Sequence, residues 1–124
     1  MPFQYQQSTG EFSKNGELVA YGYSGNGDGL NNPAMQIVKD VGPIPQGTYR
    51  IEQPHADPVV GPVAMRLTPY PTTEMYGRGD FLIHGDNAAM NQTASEGCII
   101  LPHDARVQIG EAVVNGDAVL TVIE

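Results

Sequence analysis

Phe81-Leu82-Ile83-His84-Gly85-Asp86-Asn87, followed after a short gap by Ser95-Glu96-Gly97-Cys98-Ile99-Ile100-Leu101, is the stretch on which the reading of the chain turns. Each half is a short apolar run beside small, turn-forming residues, the pattern of a buried strand bounded by loops. The first run ends on a histidine, and the second starts with the only cysteine, fourteen residues later. Ala88 to Ala94, between them, are small or polar and suit a surface loop. A strand end followed by a returning loop brings such a pair together in space.

Outward from this stretch the same grammar repeats. Phe3-Gln4-Tyr5-Gln6 alternates and meets the turn signal Ser8-Thr9-Gly10. Glu11 to Ser13 and Leu18 to Tyr21 flank Asn15-Gly16, a strong hairpin dipeptide because both residues tolerate positive φ. The start therefore predicts an antiparallel meander. Gly42-Pro43-Ile44-Pro45-Gln46-Gly47 is a rigid turn leading into a strand over Thr48 to Ile51. Pro58 to Pro62 bracket a turn before a strand over Val63 to Leu67, and Ala118 to Ile123 close as a strand. Ser24 to Pro33 shows no periodicity and is predicted as loop. No Lys-Ser/Thr pair follows its glycines, as a phosphate loop needs, and the spacing and terminal Glu of a calcium loop are missing. One helix is predicted over Pro102 to Val114, with Pro102 near its start, Asp104 in its first turn, and an apolar stripe of Ala105, Val107, Ile109, Ala112 and Val113. Asn115-Gly116 stops it. The expectation is a mainly β fold with one short helix, with no linker dividing residues 1–124 into two domains.

Composition narrows the function. The 124 residues carry 6 Lys and Arg against 14 Asp and Glu, a net charge of −8, so a broad basic face for nucleic acid is excluded, as is docking on an anionic membrane. No apolar run approaches the roughly 20 residues of a membrane span. Met1 to Tyr5 lack the basic and apolar regions of a signal peptide, which leads to the expectation that a route other than ordinary secretion carries the protein out of the cytoplasm. One cysteine excludes an internal disulfide framework. The three histidines, His55, His84 and His103, show no metal-ligand spacing, so neither a metal nor another cofactor is expected.

A lone cysteine is either a small buried apolar residue or a nucleophile. As a nucleophile it needs a base, because a free thiol with pKa about 8.5 is only slightly ionised at neutral pH. His84 is the candidate base and later acid. Gly97 lets a substrate approach the backbone closely and permits dihedrals that aim amides at a developing oxyanion. Ser95 is placed to hold the turn, and Asp86 and Asn87 to fix the imidazole or the loop. Arg78 is either a ligand for a substrate carboxylate or a solvated arginine, and Tyr70 and Tyr76 either line a peptide groove or pack. Glu96, two residues from the sulfur, would raise the thiol pKa if it pointed inward, so it is expected to face outward or to pair with Arg78 or Arg106. His55 and His103 read as surface residues, His103 at the helix start.

The arrangement His84-Gly85, a gap, then Ser95-Glu96-Gly97-Cys98-Ile99-Ile100 resembles the signature of the L,D-transpeptidases, which remodel peptidoglycan through a cysteine. Two positions depart from it: Glu96 stands where those enzymes usually have a second histidine, and Ile100 where they usually have an arginine. Tyr5 to Gly10, Gly22-Tyr23-Ser24-Gly25, Asn31-Asn32-Pro33, Gly42 to Tyr49, Phe81 to Asn87 and Ala94 to Pro102, in that order, are similar to the small L,D-transpeptidase-like toxins delivered by bacterial type VI secretion. The resemblance implies a single-domain β-sandwich or half-barrel over residues 1–124. It implies a reaction in which Cys98 attacks the bond between diaminopimelate and the terminal D-Ala of a tetrapeptide stem, with His84 as base. Water, a free D-amino acid or a second stem then resolves the acyl-enzyme. It implies as partners the peptidoglycan stem, the secretion machinery and a cognate immunity protein, with the toxin acting in the periplasm of a target bacterium. A different class stays open: a non-catalytic β-rich module that binds peptidoglycan or serves as a secretion adaptor, with an inert Cys98.

Overall fold

The computed structural model describes residues 2–124. Their strands are β1 (Phe3–Gln6), β2 (Glu11–Lys14), β3 (Glu17–Tyr21), β4 (Tyr23–Ser24), β5 (Gly47–Ile51), β6 (His55–Asp57), β7 (Gly61–Pro69), β8 (Leu82–His84), β9 (Ile99–Ile100) and β10 (Val119–Ile123). The helix α1 spans His103–Val114. The strands line up in the order β3-β2-β1-β10-β5-β7-β8-β9-β4, with β6 on β7, in a nearly closed half-barrel. Pairing is antiparallel except for β1 with β10 and β8 with β9. The expectation of a mainly β fold with one short helix holds.

The meander forms as the alternation predicts. Asn15 and Gly16 take φ of 54° and 80°, and the turn they make sets Lys14 opposite Glu17. Phe3 and Tyr5 project to one side of β1 and meet Phe12 of β2, with ring centroids 5.6 and 6.3 Å apart. All three are fully buried beside Tyr49, Leu120 and Val122. Burying each large apolar side chain here contributes roughly 2–3 kcal/mol.

Two expectations need correcting. Ser24 to Pro33 is not wholly irregular: Tyr23–Ser24 form β4, and one-turn 3-10 helices cover Gly27–Gly29 and Pro33–Met35. The pairing of β4 with β9, Tyr23 to Ile100 and Ser24 to Ile99, supplies order that the local sequence lacks. The buried face of α1 is Ala105, Arg106, Ile109, Gly110 and Val113, so an arginine and a glycine join the predicted stripe, with Ala112 packed at its edge and Val107 only half-buried. Pro102 caps the helix rather than opening it, and no side chain accepts from the first-turn amides. Among the described residues no helix is long and apolar enough to cross a membrane.

Candidate active site

Cys98 stands at the entry to β9. In the parallel β8–β9 ladder Ile83 lies beside Ile99 and His84 beside Ile100. Ile83 and Ile99 belong to the core, so alternation puts Leu82, His84, Cys98 and Ile100 on the opposite face. The Leu82 N–H donates to Cys98 Sγ at 3.3 Å, which fixes the sulfur beside Leu82. With strands about 4.8 Å apart and a rise of about 3.3 Å per residue, the α-carbons of Cys98 and His84 are diagonal neighbours roughly 8 Å apart.

His84 Nδ1 lies 2.8 Å from the Gly85 carbonyl oxygen. A carbonyl only accepts, so Nδ1 carries the proton and Nε2 keeps its lone pair. Among the described residues the buried side-chain nitrogens and oxygens without a partner are Tyr5 Oη and Gln7 Oε1. Nε2, which makes no hydrogen bond either, therefore reaches an accessible surface. The sulfur and the ring share a face with separate partners, Leu82 and Gly85, and without a mutual hydrogen bond.

Burial pushes the Cys98 thiol above its ordinary range; the Leu82 N–H acts the other way, and the Glu96 carboxylate adds to the rise. Burial likewise lowers the His84 imidazole, opposed by the Gly85 carbonyl and reinforced by the nearby Arg106 charge. Both shifts favour a neutral thiol beside a neutral ring in the resting protein.

The cysteine loop is held by polar side chains. Ser95, fully buried, donates its hydroxyl to the Cys98 carbonyl at 2.6 Å and accepts from the Gly25 and Gly97 amides at 2.9 and 3.1 Å. Ser24 donates to the Gly97 carbonyl at 2.9 Å and accepts from the Ile44 amide, and Asn26 donates to the Ser95 carbonyl at 2.8 Å. Gly97 takes φ of 132°, and a β-carbon there would stand 2.3 Å from Phe81 Cε1 and 2.7 Å from Arg78 Nη2. Only glycine fits. Because the Gly97 amide is taken by Ser95, it is not a free oxyanion donor in this arrangement.

Arg78 is buried, so the solvated alternative is overturned. Its guanidinium donates to the carbonyls of Gln36, Gly42, Pro43 and Glu96 at 2.6 to 3.2 Å and stacks on Phe81, 5.1 Å from the ring centroid. Four carbonyls around one buried guanidinium make a clamp between the Pro43 turn and the cysteine loop. Glu96 faces outward as expected, but neither arginine pairs with its carboxylate; Arg78 touches only its backbone. Arg106, 8% exposed, donates to the carbonyls of Leu101, Pro62 and Val63.

Asp86 is exposed and accepts from the Tyr23 hydroxyl at 2.6 Å and the Asn87 amide at 2.9 Å. Burial, and then the bond to Asp86, raise the Tyr23 phenol to about 12. Asn87 binds Thr93 and the Met90 amide, so both residues shape the loop between β8 and β9. Tyr70 and Tyr76 are exposed, and Tyr70 lines a separate hollow with Arg50 and Pro71. His55 and His103 are exposed beside Asp57 and Asp104. Ser24, Asn26 and Arg106 hold the site through backbone groups distant in the sequence, and the only local signal for them is a polar residue set among glycines at Ser24 and Asn26.

The mainly β half-barrel with one short helix is the fold expected of an L,D-transpeptidase-like domain, with Cys98 at the entry to β9 and His84 on the parallel neighbour β8. The model of the Tlde1 domain matches residues 19–123, and the chain belongs to that family. The family is known from L,D-transpeptidase-like toxin effectors of type VI secretion and is associated with peptidoglycan modification. Comparison with curated proteins finds no match.

Proposed function

We propose that residues 1–124 act as one catalytic domain that cleaves the diaminopimelate–D-Ala bond of peptidoglycan tetrapeptides through a Cys98 acyl-enzyme. The observation that carries this reading is the placement of Cys98 and His84 on one face of the β8–β9 ladder, with His84 in the tautomer that leaves Nε2 basic. In the reaction Nε2 takes the thiol proton as the sulfur attacks the stem carbonyl, and returns it to the departing D-Ala amine. A dyad that is neutral at rest and transfers its proton only as the substrate arrives keeps the sulfur unreactive toward bystanders. The Cys98 amide is the donor we assign to the tetrahedral oxyanion, with Ser95 and Gly97 setting its direction. Water as acceptor gives a carboxypeptidase; a D-amino acid or a second stem gives exchange or a cross-link. As an effector the protein acts in the periplasm of a target cell, with the secretion machinery and an immunity protein as partners.

The test is turnover of purified tetrapeptide muropeptides, with and without D-amino acid. Tripeptide or exchanged product is expected from the wild type and none from Cys98→Ala or His84→Ala. Absence of product from folded wild-type protein with every acceptor would falsify the catalytic reading and favour an inert peptidoglycan-binding module.

A further inference from the structure

His84 and Cys98 are joined by the loop of residues 85–97, which is exposed throughout residues 86–93. The cysteine end of that loop is fastened by Ser24, Asn26, Arg78 and Ser95. Among the described residues, none of these four side chains bonds to the histidine end. Tyr23 does. It begins β4 beside Ile100 of β9 and is 6% exposed. Its hydroxyl donates to Asp86 Oδ1 at 2.6 Å and accepts from the Ala94 N–H at 3.2 Å. One phenol oxygen thus ties the second residue after His84 to the fourth before Cys98. The phenol, raised to about 12, keeps its donor proton at neutral pH. Asp86 Oδ1 also accepts from the Asn87 N–H at 2.9 Å, which couples the carboxylate to its own backbone.

The histidine end needs such a hold. The tautomer of His84 depends on the Gly85 carbonyl that accepts from Nδ1, and that carbonyl belongs to the peptide joining Gly85 to Asp86. Gly85 has no side chain to anchor this peptide, and glycine is the residue whose backbone turns most freely. The Arg106 guanidinium fills the space a side chain would need, since a β-carbon at Gly85 would stand 2.7 Å from Nη2. We propose that Tyr23 is a positioning residue for the Cys98–His84 pair: its hydroxyl latches Asp86 to Ala94, the latched Asp86 fixes the Gly85 carbonyl, and that carbonyl keeps the His84 proton on Nδ1 with Nε2 free. Tyr23 bonds to neither the sulfur nor the ring and acts through the Asp86 backbone. A nucleophile–base pair commonly has a third side chain orienting the base. Here the orienting group is a backbone carbonyl, and a residue on another strand steadies it. The place of Tyr23 in the reaction rests on Cys98 and His84 being the catalytic pair.

The experiment is NMR of the His84 ring nitrogens in histidine-labelled protein at about pH 8, where imidazoles are neutral, with turnover of tetrapeptide muropeptides measured in parallel. The exposed His55 and His103 serve as internal references. Wild-type His84 is expected to show a protonated Nδ1 and an unprotonated Nε2. Tyr23→Phe keeps the ring and loses the hydroxyl. It is expected to move both His84 signals toward the average of the two tautomers, and to lower kcat about tenfold or more with KM within about twofold. Asp86→Ala is expected to do the same, and the double variant to lose no more than either single one. Asp86→Asn keeps an oxygen for the phenol and is expected to restore most of the wild-type signal and kcat. Asp86→Ala, at an exposed position, carries the test if Tyr23→Phe does not fold. Thr93→Ala removes the outer bond between Asn87 and Thr93 and is expected to leave the His84 signals in place. Unmoved His84 signals in folded Tyr23→Phe, a KM rise without loss of kcat, additive losses in the double variant, or an equal effect of Thr93→Ala overturns the proposal. The ring signals need no turnover. Inactive wild type whose His84 ring depends on Tyr23 counts against the catalytic reading alone, and active wild type whose ring ignores Tyr23 counts against the latch alone.

Discussion

Around Phe12, three aromatic rings from β1 and β2 pack against Tyr49, Leu120 and Val122 with scarcely a polar atom among them. Around Cys98 the contacts are of another kind: two serines, an asparagine and an arginine fasten the loop through its backbone carbonyls and amides. The first region gains stability from area removed from water, which tolerates small shifts of position. The second gains direction, since each hydrogen bond fixes an atom to within a few tenths of an ångström. A nucleophile has to be aimed, and the polar end of the molecule is where aiming is done.

Substitutions that separate stability from aim sharpen this contrast. Phe12→Ala is expected to cost about 3–5 kcal/mol in urea unfolding. The same variant should leave kcat within a few-fold at a temperature where it is folded; a collapse of kcat there would break the distinction. Ser95→Ala removes one donor and one acceptor that bind three backbone groups, with an expected cost of about 2–3 kcal/mol. Its turnover should fall about 100-fold, because a shift of about 1 Å in a reacting group is enough for that. Equal losses in Ser95→Ala and Phe12→Ala activity would mean that the serine only holds the fold.

Charge at the polar end gives a subtler handle. Iodoacetamide labelling of Cys98 is expected to be slower at pH 7 than for a free thiol and to rise with pH through a midpoint above the ordinary cysteine value. The sign follows from burial favouring the neutral thiol, so the thiolate appears only at higher pH. Glu96→Gln should move that midpoint down, as a repelling carboxylate is lost. The smallest effect is expected back in the aromatic region. Tyr5 Oη is buried there without a partner, so Tyr5→Phe should stabilise the protein by about 1 kcal/mol on thermal or urea unfolding.

The same contrast explains what could be read in the sequence. Strands β1, β2, β5 and β10 announce themselves by alternation, because one face of each meets the core. The Asn15-Gly16 turn and the Cys98–His84 stretch were equally legible, the first from turn chemistry and the second from two apolar runs ending at chemically active residues. β4 and β6 were not, being two and three residues long and ordered by the strands they pair with. The clamps were hidden for a related reason. Arg78 reaches carbonyls 18 to 42 residues away and Arg106 reaches Pro62 across 44, so nothing local distinguishes either from a surface arginine. Charge alone says surface; only the assembled loops supply enough carbonyls to bring a guanidinium inside.

The parallel pairing of β1 with β10, Phe3 beside Leu120 and Tyr5 beside Val122, sets the timing of assembly. A ribosome releases Phe3 more than a hundred residues before Leu120, so the first strand waits with one edge unsatisfied until β10 has been made. Closure of the barrel thus waits for β10, and nascent fragments lacking it leave that edge open to chaperones or to proteolysis.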